Sequence, residues 1–240
     1  MIKLNVKIAG EAFTIEALTE LVASQFKPYL TDTEGGAIIT PTQQDLESMH
    51  EKLLNQKDDR KRISPTIIEF FVIHELIARE MINRGVLLVH GSAVVADGNA
   101  HLFIAPSGTG KSTHTQLWLS LLGDRAFIIN DDKQLIRITD AGAVVYPTPW
   151  GQISVADAGA SAPLKSITVL YRGKNNINKI TEAQMFPELF KASLRGETPM
   201  ETLEIINLQK KLMSKVGLYK MTCEPTVEAA ETAYKAIAGD

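Results

Sequence analysis

One short stretch, Ala105-Pro106-Ser107-Gly108-Thr109-Gly110-Lys111-Ser112-Thr113, carries the strongest chemical signal in the chain. Its glycines let the backbone turn successive N–H groups inward into a nest for an anion, and the helix that follows adds the positive end of its dipole. Phosphate is the natural occupant. Lys111 offers a mobile cation to β- and γ-phosphate oxygens. The Ser112 hydroxyl stands one residue on as a ligand for Mg2+, and Thr113 reaches toward the α-phosphate. The string fits G-x-x-x-x-G-K-[ST], the Walker A pattern of a P-loop, at every defined position except the first, where Ala105 replaces glycine. Twenty residues beyond Lys111, Phe127-Ile128-Ile129-Asn130-Asp131-Asp132 reads as an apolar strand ending in two carboxylates. One suits Mg2+ and the other suits orienting or deprotonating a hydroxyl, with the division of roles open. His90, in Val89-His90-Gly91-Ser92, is the third candidate, set against the plainer reading of a structural histidine.

The elements around these residues must bring them together. Leu102-Phe103-Ile104 reads as a strand entering the loop, and Leu117, Leu119 and Leu121 mark a helix over 112–122 leaving it. Val86 to Val89 and Ala93 to Ala96 read as strands, and Asp97-Gly98-Asn99 as the tight reversal into the strand 100–104. A parallel strand beside the loop strand would bring the end of 126–129 to the same sheet edge as the loop. Further strands are expected around 135–138, 144–146, 167–171 and 219–222, with helices near 182–194, 199–216 and 225–238. The fold class expected is α/β with a mixed sheet. Ser64-Pro65 predicts an N-cap and first turn for a buried helix running to Gly85. The dense charge run Lys57-Asp58-Asp59-Arg60-Lys61-Arg62 marks a seam, giving a small α+β segment over 1–62 and a nucleotide-binding domain over 63–240.

Composition narrows the function classes. In 240 residues, hydrophobic types make up 45% and charged types 22%, values that suit a folded soluble protein and argue against disorder. A net charge of −3 provides no broad positive field for nucleic acid or an anionic membrane. Cys223, the single cysteine, excludes an internal disulfide, and the opening MIKLNVKIAG lacks the features of a secretory signal, so a cytoplasmic location is expected. His50, His74, His101 and His114 show no metal-ligand spacing. Two more segments are candidates for the margin of the site. Tyr146-Pro147-Thr148-Pro149-Trp150-Gly151 is either a rigid aromatic loop or a surface turn, and Arg172-Gly173-Lys174-Asn175-Asn176 either supplies cations and amides to a nucleotide or is a polar turn.

His90-Gly91, then Ser107-Gly108-Thr109-Gly110-Lys111-Ser112, then Asn130-Asp131-Asp132, in this order, resemble the catalytic domain of HPr serine kinase/phosphorylase. More distantly they are similar to the nucleotide core of ATP-dependent phosphoenolpyruvate carboxykinase. The resemblance covers roughly 86–140. It implies a P-loop kinase core of that type, ATP and Mg2+ as cofactors, and transfer of the γ-phosphoryl group to a serine-type hydroxyl on a protein, peptide or metabolite. It also implies that Asp131 is the base, that Asp132 and Ser112 support Mg2+, that His90 lies near the acid, and that the protein is a homo-oligomer. The chain departs from the kinase pattern at Thr113, where glutamate is usual, and at Gly151-Gln152-Ile153-Ser154, which does not match the family's second glycine-rich signature. The absence of an Asn-Lys-x-Asp string favours ATP over GTP. A carboxykinase-like enzyme and a non-catalytic ATP-binding regulatory or maturation partner are the alternatives carried forward.

Overall fold

The computed structural model describes residues 1–56, 63–150 and 158–237. The chain divides into two compact units, Met1–Met81 and Ile82–Asp240. The seam expected at 57–62 lies outside the described residues. The helix beginning at Pro65, expected to open the second domain, falls almost wholly in the first unit.

In the first unit, β1 (Ile2–Ile8) and β2 (Glu11–Ala17) form an antiparallel hairpin, and β3 (Ala37–Ile39) adds parallel to β2. Alternation along β2 puts Phe13, Ile15 and Ala17 in the core. The short helix α1 (Glu20–Gln25) is capped by Thr19, whose hydroxyl accepts from the Val22 amide. Buried Glu69 accepts from the Leu18 and Thr19 amides at 2.6 and 3.3 Å. Helices α2 (Gln43–Gln56) and α3 (Pro65–Ile82) pack through Met49, Ile68 and Val72.

The second unit is a mixed seven-stranded sheet between two helical layers. Its strands are β4 (Val86–Ala96), β5 (Asn99–Ile104), β6 (Ala126–Ile138), β7 (Ala143–Tyr146), β8 (Ala162–Arg172), β9 (Asn176–Lys179) and β10 (Gly217–Cys223). Their order is β5-β4-β6-β7-β8-β10-β9, and β5 also pairs with β8, so β4 to β8 close a ring of pairings. β5, β8 and β10 run parallel, while the other neighbours are antiparallel. Period-two alternation sorts side chains to the two faces. Leu102, Ile104, Val169 and Leu218 pack toward Met185 and Leu189 of α5 (Glu182–Ala192) and Ile205 and Leu212 of α6 (Pro199–Met213). On the other face Phe103, Val94, Leu170 and Met221 meet Trp118 of α4 (Lys111–Leu122) and Ala229, Ala230 and Ala233 of α7 (Val227–Ile237). Each large side chain buried this way contributes about 1.5–3 kcal/mol, and the alanine face of α7 allows a close approach. Among the described residues no helix is long and apolar enough to cross a membrane.

The expected strand pairs 86–89/93–96 and 126–129/135–138 are two continuous strands, β4 and β6, each running through the polar residues taken as ends. The expected parallel strand ending in Asp131 and Asp132 is also corrected. β6 is antiparallel to its neighbour β4, and the two acids lie near its middle. They still come level with the loop, because β4 pairs Ser92 with Phe103 of β5 on one side and Gly91 with Asp132 of β6 on the other. The exit of β5, Gly91 and Asp132 therefore lie in one line across three strands.

Candidate active site

The loop leaves β5 at Ala105 and enters α4 at Lys111. Gly108 (φ +75°) and Gly110 (φ +115°) occupy backbone conformations that a side chain disfavours, which explains the glycines at these points. Gly110 is the N-cap of α4 and gives it no side-chain cap, so amides of the first turn face the loop without a side-chain acceptor from that residue. Lys111 folds back over the loop, its Nζ donating to the carbonyls of Ala105 at 3.0 Å and Pro106 at 3.5 Å. Burial lowers the Lys111 pKa, and Asp132 and Asp131 oppose that shift.

The Ser112 hydroxyl donates to Asp131 Oδ1 at 2.9 Å. His90 Nε2 lies 3.2 Å from Asp132 Oδ1. A carboxylate only accepts, so the neutral imidazole donates from Nε2. Burial first, then the charge of Lys111, lowers the His90 pKa, while Asp132 and Asp131 pull it up. Adjacent strand residues normally point to opposite faces. Here φ at Asp132 is +154°, and both carboxylates line one cleft of about 340 Å3. His90, Ser107, Gly108, Gly110, Lys111, Ser112 and Thr113 line it too. Of Ser107 to Thr113, the two acids and His90, Thr109 alone is absent from this cleft. It lines a second one, of about 470 Å3, on the other side of the loop.

Ser112 thus pairs with Asp131, and His90 with Asp132. A hydroxyl beside a carboxylate, with a second carboxylate in the same cleft, is an all-oxygen donor set that fits Mg2+.

Polar residues that sequence reasoning passed over hold this arrangement from behind. Ser92 Oγ and Thr115 Oγ1, 2.8 Å apart, tie β4 to α4. Asn130 donates to Thr148 Oγ1 at 2.7 Å, and Thr148 donates to the Lys133 carbonyl at 2.8 Å. The segment Tyr146 to Trp150 is thus fastened to the strand carrying the acids, and Trp150 is buried. Gln134 spans the Gly91 and Asn130 carbonyls. Nothing in a linear reading marks these residues, because polar types inside a strand look like its end. Arg172 reaches the loop, its Nη2 donating to the Gly108 carbonyl at 2.6 Å. Gly151 to Ser154 lie outside the described residues.

No known family model matches the chain. No curated protein matches it in sequence. Among solved structures, the HPr(Ser) kinase/phosphatase from Coxiella burnetii is similar at a TM-score of 0.36 and 9% identity, over 63% of this chain and 97% of that one.

Proposed function

We infer that the protein is an ATP- and Mg2+-dependent kinase that transfers the γ-phosphoryl group to a hydroxyl of a protein, peptide or small metabolite. The observation that carries this reading is the convergence of Lys111, Ser112, Asp131, Asp132 and His90 on one cleft at the start of α4. The loop amides and Lys111 hold the β- and γ-phosphates. Lys111 exchanges its two carbonyl partners for phosphate oxygens as the nucleotide enters. Ser112 and Asp131 are the oxygen pair for Mg2+, which when bound neutralises charge developing on the phosphates. Asp132, with one oxygen held by His90, presents the other to the acceptor hydroxyl and takes its proton. These roles exchange the two acids relative to those the resemblance implies, on the strength of the hydrogen-bond partners.

The test is incubation with γ-labelled ATP, Mg2+ and a fractionated extract, with Lys111→Ala as control. Label that appears in an acceptor only with the intact lysine is expected. Asp132→Asn is expected to bind Mg-ATP and lose turnover, whereas Asp131→Asn raises the Mg2+ concentration needed. ATP bound tightly with no Lys111-dependent label in any fraction would overturn the kinase reading in favour of an ATP-gated binding protein.

A further inference from the structure

Along β4 the two faces alternate without a break. Leu87, Val89, Ala93 and Val95 belong to the core under α5 and α6, while Ser92 bonds Thr115 of α4 and Val94 lies in the core with Trp118. His90 therefore points to the α4 side and Gly91 to the other. Cross-strand partners share a face, so the register assigns sides along β6 as well. Gln134, opposite Val89, and Asn130, opposite Ala93, belong to the α5–α6 side. Asp131, opposite Ser92, belongs to the α4 side, where it meets Ser112. Asp132 stands opposite Gly91 and by register is due on the α5–α6 side. It is found on the α4 side instead, in the cleft with Lys111 and 3.2 Å from His90. The φ of +154° at Asp132 marks the backbone step that turns it. Such a step persists where its surroundings over-determine it.

On the face that Asp132 has left lies the amide of Gln134. Its Nε2 donates to the carbonyl of Gly91, the cross-strand partner of Asp132, at 2.9 Å. It donates also to the carbonyl of Asn130, which precedes the acid pair, at 3.0 Å. Both neighbours are acceptors, so the orientation of the amide is settled and both of its N–H groups are used. Thr148 holds the other end, donating at 2.8 Å to the carbonyl of Lys133, the residue that follows Asp132, and accepting from Asn130 at 2.7 Å. Side chains thus grip the turned step at the carbonyl before the acid pair, the one after it and the one across from it. Gln134 is fully buried, and its Oε1 has no partner among the described residues. An orphaned buried acceptor lowers stability, so what the side chain contributes at this position is its two donations.

We propose that Gln134 is a positioning residue of the centre: its amide holds β6 in the step that turns Asp132 to the α4 side and into contact with His90. The proposal rests on the kinase reading for what Asp132 does there, and adds what places it. Gln134 lies on the face of the sheet away from the cleft and acts only through the backbone. Without its amide the Gly91 and Asn130 carbonyls lose these two donors. The step then relaxes toward ordinary extended backbone and the Asp132 carboxylate leaves His90, while Lys111, Ser112 and Asp131 keep their places.

Gln134→Met tests this, since it keeps the length of the side chain and removes both donors. Its crystal structure is expected to show residue 132 with an ordinary extended φ and Asp132 more than about 4 Å from His90, beyond the reach of an ion pair. In transfer to the labelled acceptor, kcat is expected to fall about a hundredfold with the KM for Mg-ATP unchanged, as for a displaced base and not a lost binding group. In an Asp132→Asn background the same change lowers kcat no further, because the two act through one group. A Gln134→Met structure that keeps the φ of +154° and the 3.2 Å contact would overturn the proposal. So would a loss in kcat that multiplies with that of Asp132→Asn. If Gln134→Met does not fold, Gln134→Asn, whose amide is drawn back by one methylene, is read in the same two ways. Absence of Lys111-dependent label in every fraction removes the kinase reading alone, and the crystallographic comparison still decides the part played by Gln134.

Discussion

Gly91 offers a calculable perturbation of the site through the sheet alone. A Cβ at this position would stand 2.7 Å from the Phe103 carbonyl oxygen, 2.7 Å from Leu102 Cδ1 and 3.2 Å from Ile104 Cγ2. The first two contacts are about 0.7 Å short of ordinary van der Waals separation, taken as about 3.4 Å. The Leu102 side chain can rotate away, but the Phe103 carbonyl belongs to the β4–β5 pairing and moves only with the strand. Overpacking of this kind costs about 1–3 kcal/mol, and the backbone partner puts Gly91→Ala in the upper half. Reduced freedom of the unfolded chain returns about 0.4–1 kcal/mol. The net loss is about 2 kcal/mol, or about 4–8 °C in Tm for a chain of this size. β5 feeds directly into the loop, so the same displacement shifts the nest relative to His90 and Asp132 and weakens ATP binding several-fold. Thermal unfolding and calorimetry measure both effects. Gly98→Ala is the control. That glycine has φ +80° with nothing within 4 Å of an added Cβ, so the change strains the turn without touching β5, and ATP affinity should hold. A Gly91→Ala protein melting within about 2 °C of the parent and binding ATP equally well would refute the reasoning.

Buried His101 and His114 have pKa values pushed down to about 4 by burial. In the unfolded chain each returns to about 6.5, so unfolding takes up protons below that pH. The stability from keeping each ring neutral is present above pH 6.5 and is lost as pH falls toward 4, by about 3 kcal/mol per histidine. Urea midpoints from pH 7 to 4 should fall accordingly, and His101→Gln or His114→Gln should flatten the slope. Midpoints that ignore pH across this window would exclude the effect. For His90, NMR titration should give a pKa below the ordinary histidine value, raised by Lys111→Ala and lowered further by Asp132→Asn; movement in the opposite directions would break the electrostatic account of the cleft.

Much of the site was legible because its chemistry is local in the chain. The loop, Lys111, Ser112 and the start of α4 follow one another, and their residue types have few other uses in that order. The strands beside them were misjudged for a physical reason. His90-Gly91-Ser92 and Asn130-Asp131-Asp132-Lys133 interrupt two apolar runs and read as strand ends. In the structure they are mid-strand, where Gln134 donates to the Gly91 and Asn130 carbonyls, Asn130 donates to Thr148, and Ser92 and Thr115 share a hydrogen bond. The pairing of Ser112 with Asp131 depends on cross-strand register and on the backbone angle at Asp132, and no residue spacing encodes either. Arg172 and Cys223 reach the loop only through parallel pairings with strands far along the chain. Leu194 and Val216 likewise fall beyond the ends of α5 and α6, where Ser193 and Ser214 occupy the C-caps.

The parallel trio β5, β8 and β10 also gives the two clefts different histories. The acidic cleft is built from residues 90 to 132, on the consecutive strands β4, β5 and β6. The other cleft needs Arg172 and Cys223, which lie 40 and 91 residues beyond Asp132 in the chain. During synthesis the loop and both acids leave the ribosome well before β10 does. A partly made chain therefore carries the acidic cleft without the strand ends that complete the second cleft, and the last strand and α7 to dock complete it.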